Sequence, residues 1–160
     1  MPNYRVHLFG GFVAYVVLFS CVARLLHPSF LTACEWLLFT LAGALFPDID
    51  IKSKGQKYFY HFIFLLFIVL AIKKRYTMIT FCSFIILIPL LVRHRGFFHS
   101  PRFVIALPII VWLSVCTIKP LIAPVIFIDV LFFITGAISH IWLDLGTKRM
   151  LFRLFTQRTR

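Results

Sequence analysis

Histidine and aspartate are concentrated in a few short polar segments of a chain that is otherwise strongly apolar. These segments are His7, PDID at 47–50, RHRGFFHS at 93–100 and SHIWLD at 139–144. The chain has six histidines and five acidic residues in all, and the last three segments alone hold three histidines and three aspartates. Imidazole and carboxylate groups gathered in this way are typical ligands of a divalent metal, so metal-dependent hydrolysis is the first chemistry to consider.

The spacing of the side chains indicates how two of these segments could present ligands. His140 and Asp144 are four residues apart, so a helix places both on one face, about one turn apart. Asp48 and Asp50 are two residues apart and reach the same site only where a helix has ended, which Pro47 favours. Each pair is therefore a candidate for binding one ion.

The segment at 93–100 adds two imidazoles and two cations. Gly96 lies between His94 and His99 and permits a tight turn that folds the two rings together. Arg93 and Arg95 are candidate electrostatic stabilisers of an anionic oxygen, most naturally a phosphate oxygen. Their positions favour the alternative role, as charged anchors at a membrane boundary.

The ligand types also indicate which metal to expect. Imidazoles and carboxylates are borderline to hard ligands that suit Zn²⁺, with Mn²⁺ or Fe²⁺ as alternatives, and a paired site could hold one or two ions. Such ions would lower the pKa of bound water to near neutral and provide hydroxide as a nucleophile, and phosphoesters fit this chemistry best. Cysteine ligation is disfavoured because the four cysteines occur singly in apolar stretches, at Cys21, Cys34, Cys82 and Cys116.

The elements that must position these residues are membrane helices. The chain of 160 residues is 61% hydrophobic, whereas soluble domains are roughly 45–50% apolar. Its apolar runs predict six helices, at 8–26, 34–48, 58–72, 77–92, 103–118 and 121–143. We therefore expect an all-α integral membrane protein with about six transmembrane helices, one domain over 1–160 and a basic tail at 149–160. Residues 58–92 could alternatively form a shallow re-entrant hairpin.

The distribution of positive charge predicts the orientation. Of the 17 Lys and Arg residues, twelve lie on the side of the two termini and five on the other side. Positive charge favours the cytoplasm, so both termini are expected there. The basic triplet KKR at 73–75 lies on the other side and opposes the rule. Because topology accounts for the net charge of +12, the expected partner is the lipid bilayer and no nucleic acid is expected.

An even number of spans brings the polar segments together. His7 opens the first predicted helix, PDID closes the second, RHRGFFHS follows the fourth and SHIWLD closes the sixth, so all four segments fall on the cytoplasmic face. Asp129 lies deeper in the sixth helix, three turns before His140, where an unpaired charge is costly. We expect it to hydrogen-bond another helix, with a proton path as the alternative.

The chain resembles the YdjM-like family in an ordered set of four elements. They are His7, LFPDID at 45–50, HRGFFHS at 94–100 and SHIWLD at 139–144. Its members are bacterial inner-membrane proteins predicted to be metal-dependent hydrolases, some of them LexA-regulated. The resemblance covers about residues 7–148 and implies seven metal ligands, namely His7, Asp48, Asp50, His94, His99, His140 and Asp144. The HxxxD element is also similar to that of the zinc phospholipase C and P1 nuclease superfamily. Phe98 departs from the pattern, where a threonine is expected, and so does the C-terminal GTKRMLFRLFTQRTR.

The resemblance and the residues together predict a membrane-bound metal-dependent hydrolase that acts on a phosphoester, either a lipid or another membrane-associated substrate. Type-2 phosphatidic acid phosphatases also have six helices and an HxxxD element, but the chain lacks their PSGH motif. A non-catalytic metal-binding or structural protein is the second alternative. Transport is disfavoured because a carrier places its site near the bilayer midplane, whereas these residues lie at one boundary.

Overall fold

Six helices account for most of the chain in the computed structural model, which describes residues 4–49, 54–91 and 100–155. Two short 3-10 turns, at Phe46–Asp48 and Pro120–Ile122, follow the second helix and precede the sixth. Within these ranges no strand occurs, so the predicted all-α fold is confirmed. The helices are α1 (Tyr4–Leu26), α2 (Phe30–Leu45), α3 (Lys54–Ile72), α4 (Tyr76–Leu91), α5 (Pro101–Ile118) and α6 (Ala123–Phe155).

Five of the described helices are long and apolar enough to cross a membrane, and α4 is not among them. The spans are α1, α2 with its 3-10 turn, α3, α5 and the segment Pro120–Gly146. Helix α4 has 16 residues, whereas a span needs at least about 17. The described part of the chain therefore provides five candidate spans where six were expected. Exposed apolar side chains such as Phe9, Phe64 and Leu113 cover the outer faces, as contact with lipid requires.

Helices α2 and α6 form the centre of the bundle, and α1 packs against both of them, α3 against α2, and α5 against α6. The two central helices approach most closely at Gly43 and Gly136. A Cβ atom at Gly43 would lie 2.1 Å from the carbonyl oxygen of Phe133, and one at Gly136 would lie 2.0 Å from that of Thr40. Only glycine permits this crossing, which brings the last turn of α2 against the later turns of α6.

An aromatic layer fixes α1 on the two central helices. Trp36 of α2 stacks on Phe132 of α6 with ring centroids 4.8 Å apart, and both rings are buried. Tyr15 and Phe19 of α1 pack against this pair at 5.8 and 6.2 Å. Aromatic pairs of this kind each contribute about 0.5–1.5 kcal/mol beyond their buried area. The layer therefore sets the position of α1, and with it that of His7 near its start.

Candidate metal centre

Three elements bring predicted metal ligands together at one end of the bundle. His7 lies in the first turns of α1, Asp48 ends the 3-10 turn after α2, and His140 and Asp144 lie one turn apart in α6. Helix α2 ends at Leu45, before Asp48, as Pro47 predicted. The structure thus gathers four of the seven residues that the sequence singled out.

The carboxylate of Asp144 faces the Nε2 atoms of two imidazole rings. Its Oδ2 atom is 3.3 Å from Nε2 of His140, and its Oδ1 atom is 3.5 Å from Nε2 of His7. Oδ1 of Asp48 is 3.7 Å from Nε2 of His140. The two rings stack with centroids 3.8 Å apart and planes 16° from parallel. One ligand atom from each of His7, His140 and Asp144 lies within 4.8 Å of the other two.

The backbone of α2 sets the orientation of His140. Its Nδ1 atom is 2.7 Å from the carbonyl oxygen of Ala44. A carbonyl oxygen only accepts, so Nδ1 carries a proton and donates it, while Nε2 faces the carboxylates of Asp48 and Asp144. A histidine that binds a metal typically donates its other ring N–H to such an acceptor, which fixes the tautomer and the ring plane.

Burial separates Asp48 from the other three residues. His7 and His140 are 1% and 0% exposed, and the Asp144 side chain is 8% exposed. The Asp48 side chain is 23% exposed and therefore marks the side from which solvent reaches the cluster.

The donor types suit a divalent metal. Two ligand atoms that are each 2.0–2.1 Å from a tetrahedral Zn²⁺ are about 3.3–3.4 Å apart. The separations of 3.3 and 3.5 Å, each to a different oxygen of Asp144, are near this value, and a plain imidazole–carboxylate pair has the same distances. All the gathered donors are nitrogen or oxygen, as Zn²⁺, Mn²⁺ and Fe²⁺ accept.

The remaining predicted site residues lie outside the described residues. They are Asp50, Arg93, His94, Arg95 and His99. Asp50 directly follows the described turn that carries Asp48, and the segment 92–99 joins α4 to α5. Their roles as metal ligands or electrostatic stabilisers stay predictions.

A second polar cluster, which sequence reasoning did not find as a whole, lies at the other end of the central helices. Arg75 in the α3–α4 loop donates to Oε1 of Glu35 at 2.7 Å and to Oδ2 of Asp129 at 2.9 Å. Lys73 also pairs with Glu35 and donates to the hydroxyl of Thr32 at 3.1 Å. Both carboxylates are fully buried. Asp129 thus makes a tertiary hydrogen bond to Arg75 in the α3–α4 loop, and its carboxylate also interacts with the side chain of Trp36 in α2, the contact with another helix that was expected.

Two features of the sequence could have revealed this ionic cluster. Glu35 is an isolated acid in a long apolar run, and the KKR triplet at 73–75 opposes the positive-inside rule. The structure explains the triplet, because two of its three charges are neutralised by Glu35 and Asp129. Asp129 precedes His140 by three helical turns, or about 16 Å along α6, so the ionic cluster and the metal centre are separate.

A comparison of the sequence with protein-family models covers all the helices that carry the two clusters. The family model for the YdjM inner membrane protein matches residues 4–155. The chain belongs to the YdjM inner membrane protein family. This confirms both the family that the motifs predicted and the inner-membrane localisation. The comparisons with curated proteins and with solved structures gave no match.

Membership in the YdjM family covers every element that carries the gathered residues, from His7 in α1 to Asp144 in α6. The family description establishes a membrane protein and does not specify a reaction. The relation to the zinc phospholipase C and P1 nuclease superfamily stays a prediction.

Proposed function

We propose that this YdjM family member is a membrane-bound metal-dependent hydrolase that cleaves a phosphoester. The observation that carries the proposal is the meeting of His7, His140 and Asp144, with nitrogen–oxygen separations of 3.3 and 3.5 Å in a nearly solvent-free position. Zn²⁺ suits this donor set best, and Mn²⁺ or Fe²⁺ would also be accepted.

His7, Asp48, His140 and Asp144 would hold the ion, and Asp50, His94 and His99 are the further ligands that the sequence predicts for it or for a second ion. A bound divalent ion makes water a nucleophile near neutral pH and polarises a phosphoryl oxygen. The chain itself orients the ligands. The Ala44 carbonyl fixes the His140 ring, and the Asp144 carboxylate faces both imidazoles at once.

The position of the centre supports a substrate at the membrane surface. The ligands lie near the start of α1, just after the end of α2 and shortly before Gly146, where the candidate span of α6 ends. This is the level where a helix that spans the bilayer meets the headgroup region. Phospholipid phosphates lie at this level, and the partial exposure of Asp48 provides the approach to it. Arg93 and Arg95 would stabilise the anionic substrate. The positive-inside rule assigns this face to the cytoplasm.

The first experiment measures metal content. The protein is purified in detergent and analysed by elemental mass spectrometry beside the His140→Ala, Asp144→Ala double variant. The control is His61→Ala, because His61 is exposed on α3 and its Nδ1 contacts only the carbonyl oxygen of Lys57 in its own helix. We expect bound divalent metal in the wild type and in His61→Ala, and none in the double variant. Wild-type protein that binds no divalent metal under any loading condition contradicts the proposal.

The second experiment tests turnover with a panel of phosphomonoesters and phosphodiesters, including phospholipids, during metal titration. Hydrolysis that requires the metal and is lost in the double variant supports the enzyme. Tight metal binding without any turnover supports the non-catalytic metal-binding role, which the burial of both histidines favours. Activity that resists chelators supports a mechanism like that of the type-2 phosphatidic acid phosphatases.

A further inference from the structure

A cavity of about 230 Å³ lies at the end of the bundle opposite the metal centre. Its walls come from the α3–α4 loop, the start of α4, the α5–α6 connection and the start of α6. Four polar residues line one part of it and four apolar residues the other. They are Lys74, Arg75, Thr77 and Lys119, and then Met78, Ile122, Val125 and Ile126.

The charge at this cavity is positive. In the adjoining ionic cluster, Glu35 and Asp129 balance the charges of Lys73 and Arg75. Lys74 and Lys119 have no acidic partner among the described residues, and both are exposed. The cavity therefore presents two uncompensated positive charges and attracts an anion.

The polar groups at the wall are held in place. The buried carboxylates of Glu35 and Asp129 fix the Arg75 guanidinium, which keeps 23% of its side chain exposed. Nζ of Lys119 donates to the Thr77 hydroxyl at 3.1 Å, so the hydroxyl hydrogen is available to another acceptor. The Arg75 guanidinium and the Thr77 hydroxyl can therefore both donate to one anionic ligand. Arg75 needs no further loss of side-chain freedom to do so.

Lys74 occupies a backbone position that does not suit a lysine. The N–H of Lys74 bonds the carbonyl of Ala71 and the N–H of Arg75 bonds that of Leu70, which is the Schellman pattern at the end of α3. Lys74 has φ 55° in the left-handed region, where glycine is usual at this position. Local backbone preference therefore does not account for the lysine at this position.

We propose that this cavity binds the phosphate of an anionic phospholipid. The cationic wall matches a phosphodiester headgroup, and the wall of Met78, Ile122, Val125 and Ile126 matches the glycerol and the first methylenes of an acyl chain. The cavity lies where the spans end, so a bilayer lipid reaches it directly. The site is independent of the metal centre and of the reaction proposed for it.

The test compares lipid retention in wild-type protein and in charge variants. Purified protein is mixed with equal amounts of phosphatidylglycerol and phosphatidylcholine of identical acyl chains, and bound lipid is counted by native mass spectrometry. The variants are Lys74→Gln, Lys119→Gln and the double variant. The control is Arg24→Gln, because Arg24 is an exposed cation in the last turn of α1 at the same end of the bundle and does not line the cavity.

We expect the wild type to retain phosphatidylglycerol over phosphatidylcholine, with a loss of about fivefold for each lysine replaced and no change in Arg24→Gln. The variants should keep the wild-type circular dichroism and metal content, which separates lipid binding from folding and from the metal centre. An equal retention of both lipids, or a preference unchanged in the double variant, overturns the proposal. So does displacement of the lipid by millimolar inorganic phosphate, which would assign the cavity to a soluble anion.

Discussion

The Nδ1 atom of His140 donates a hydrogen bond to the carbonyl oxygen of Ala44 across the closest approach of α2 and α6. Gly43 precedes Ala44, and Gly136 lies one turn before His140, so the residues that permit the crossing adjoin those that make the bond. The geometry of the cluster of His7, His140 and Asp144 therefore depends on how closely the two helices pack. A change in the crossing should be detected as a change in metal binding.

Gly136→Ala should separate the two central helices. The added Cβ would lie 2.0 Å from the Thr40 carbonyl oxygen, and backbone cannot give way as a side chain can. Overpacking of this kind costs about 1–3 kcal/mol or more, and we expect metal affinity to fall as well because the Ala44–His140 bond is stretched. The measurements are the free energy of unfolding in mixed detergent and the metal affinity.

The matched control for this substitution is Gly10→Ala in α1. Its Cβ would meet the side chain of Leu143, with Cδ1 at 2.6 Å and Cγ at 3.7 Å, and Cδ1 is the end of a flexible side chain. We expect a smaller loss of stability and unchanged metal affinity. Equal effects of the two substitutions would show that the α2–α6 crossing does not control the metal centre.

Arg75→Met should destabilise the protein strongly. Arg75 is the residue that bonds both Glu35 and Asp129, and both carboxylates are fully buried. Removal of one partner from a buried ion pair costs about 3–5 kcal/mol because a buried charge is left uncompensated. The triple variant Arg75→Met, Glu35→Gln, Asp129→Asn also replaces both acids. It should recover much of the free energy of unfolding that Arg75→Met loses.

The control for Arg75→Met is Arg24→Met, at an exposed position on the same face. We expect its unfolding free energy to stay within about 0.5 kcal/mol of the wild type. If Arg75→Met is as mild as Arg24→Met, the ionic cluster does not stabilise the folded state in the way described.

His7→Gln should weaken metal binding while α1 stays in place. The Tyr15 and Phe19 contacts that hold α1 do not involve His7, so the helix should remain packed. Metal affinity should fall by more than about tenfold, a loss that even the replacement of an outer-shell partner can cause. Metal titration of this variant and of His61→Gln gives the comparison, and equal affinities in the two would exclude His7 from the ligand set.

The sequence predicted most of the helices, because each of them is an apolar run that is long enough to be identified without knowledge of its neighbours. The convergence of His7, Asp48 and His140 was predicted from six crossings, and the structure brings the three residues together although five of the described helices are long enough to span a membrane. The ionic cluster did not follow, because Arg75 is 40 residues from Glu35 and 54 from Asp129, and nothing local indicates that they meet. The α2–α6 crossing was also missed, since one glycine in each helix does not reveal which helices pair.

The most direct test of the metal centre is X-ray absorption spectroscopy at the edge of the bound metal in purified wild-type protein. For zinc, we expect a first shell of nitrogen and oxygen at about 2.0–2.1 Å, with the multiple scattering of imidazole. The His140→Ala, Asp144→Ala double variant should bind no metal and give no absorption edge, whereas His61→Ala should keep the wild-type spectrum. A first shell that contains sulfur at about 2.3 Å, or one that is identical in wild type and double variant, would contradict the account.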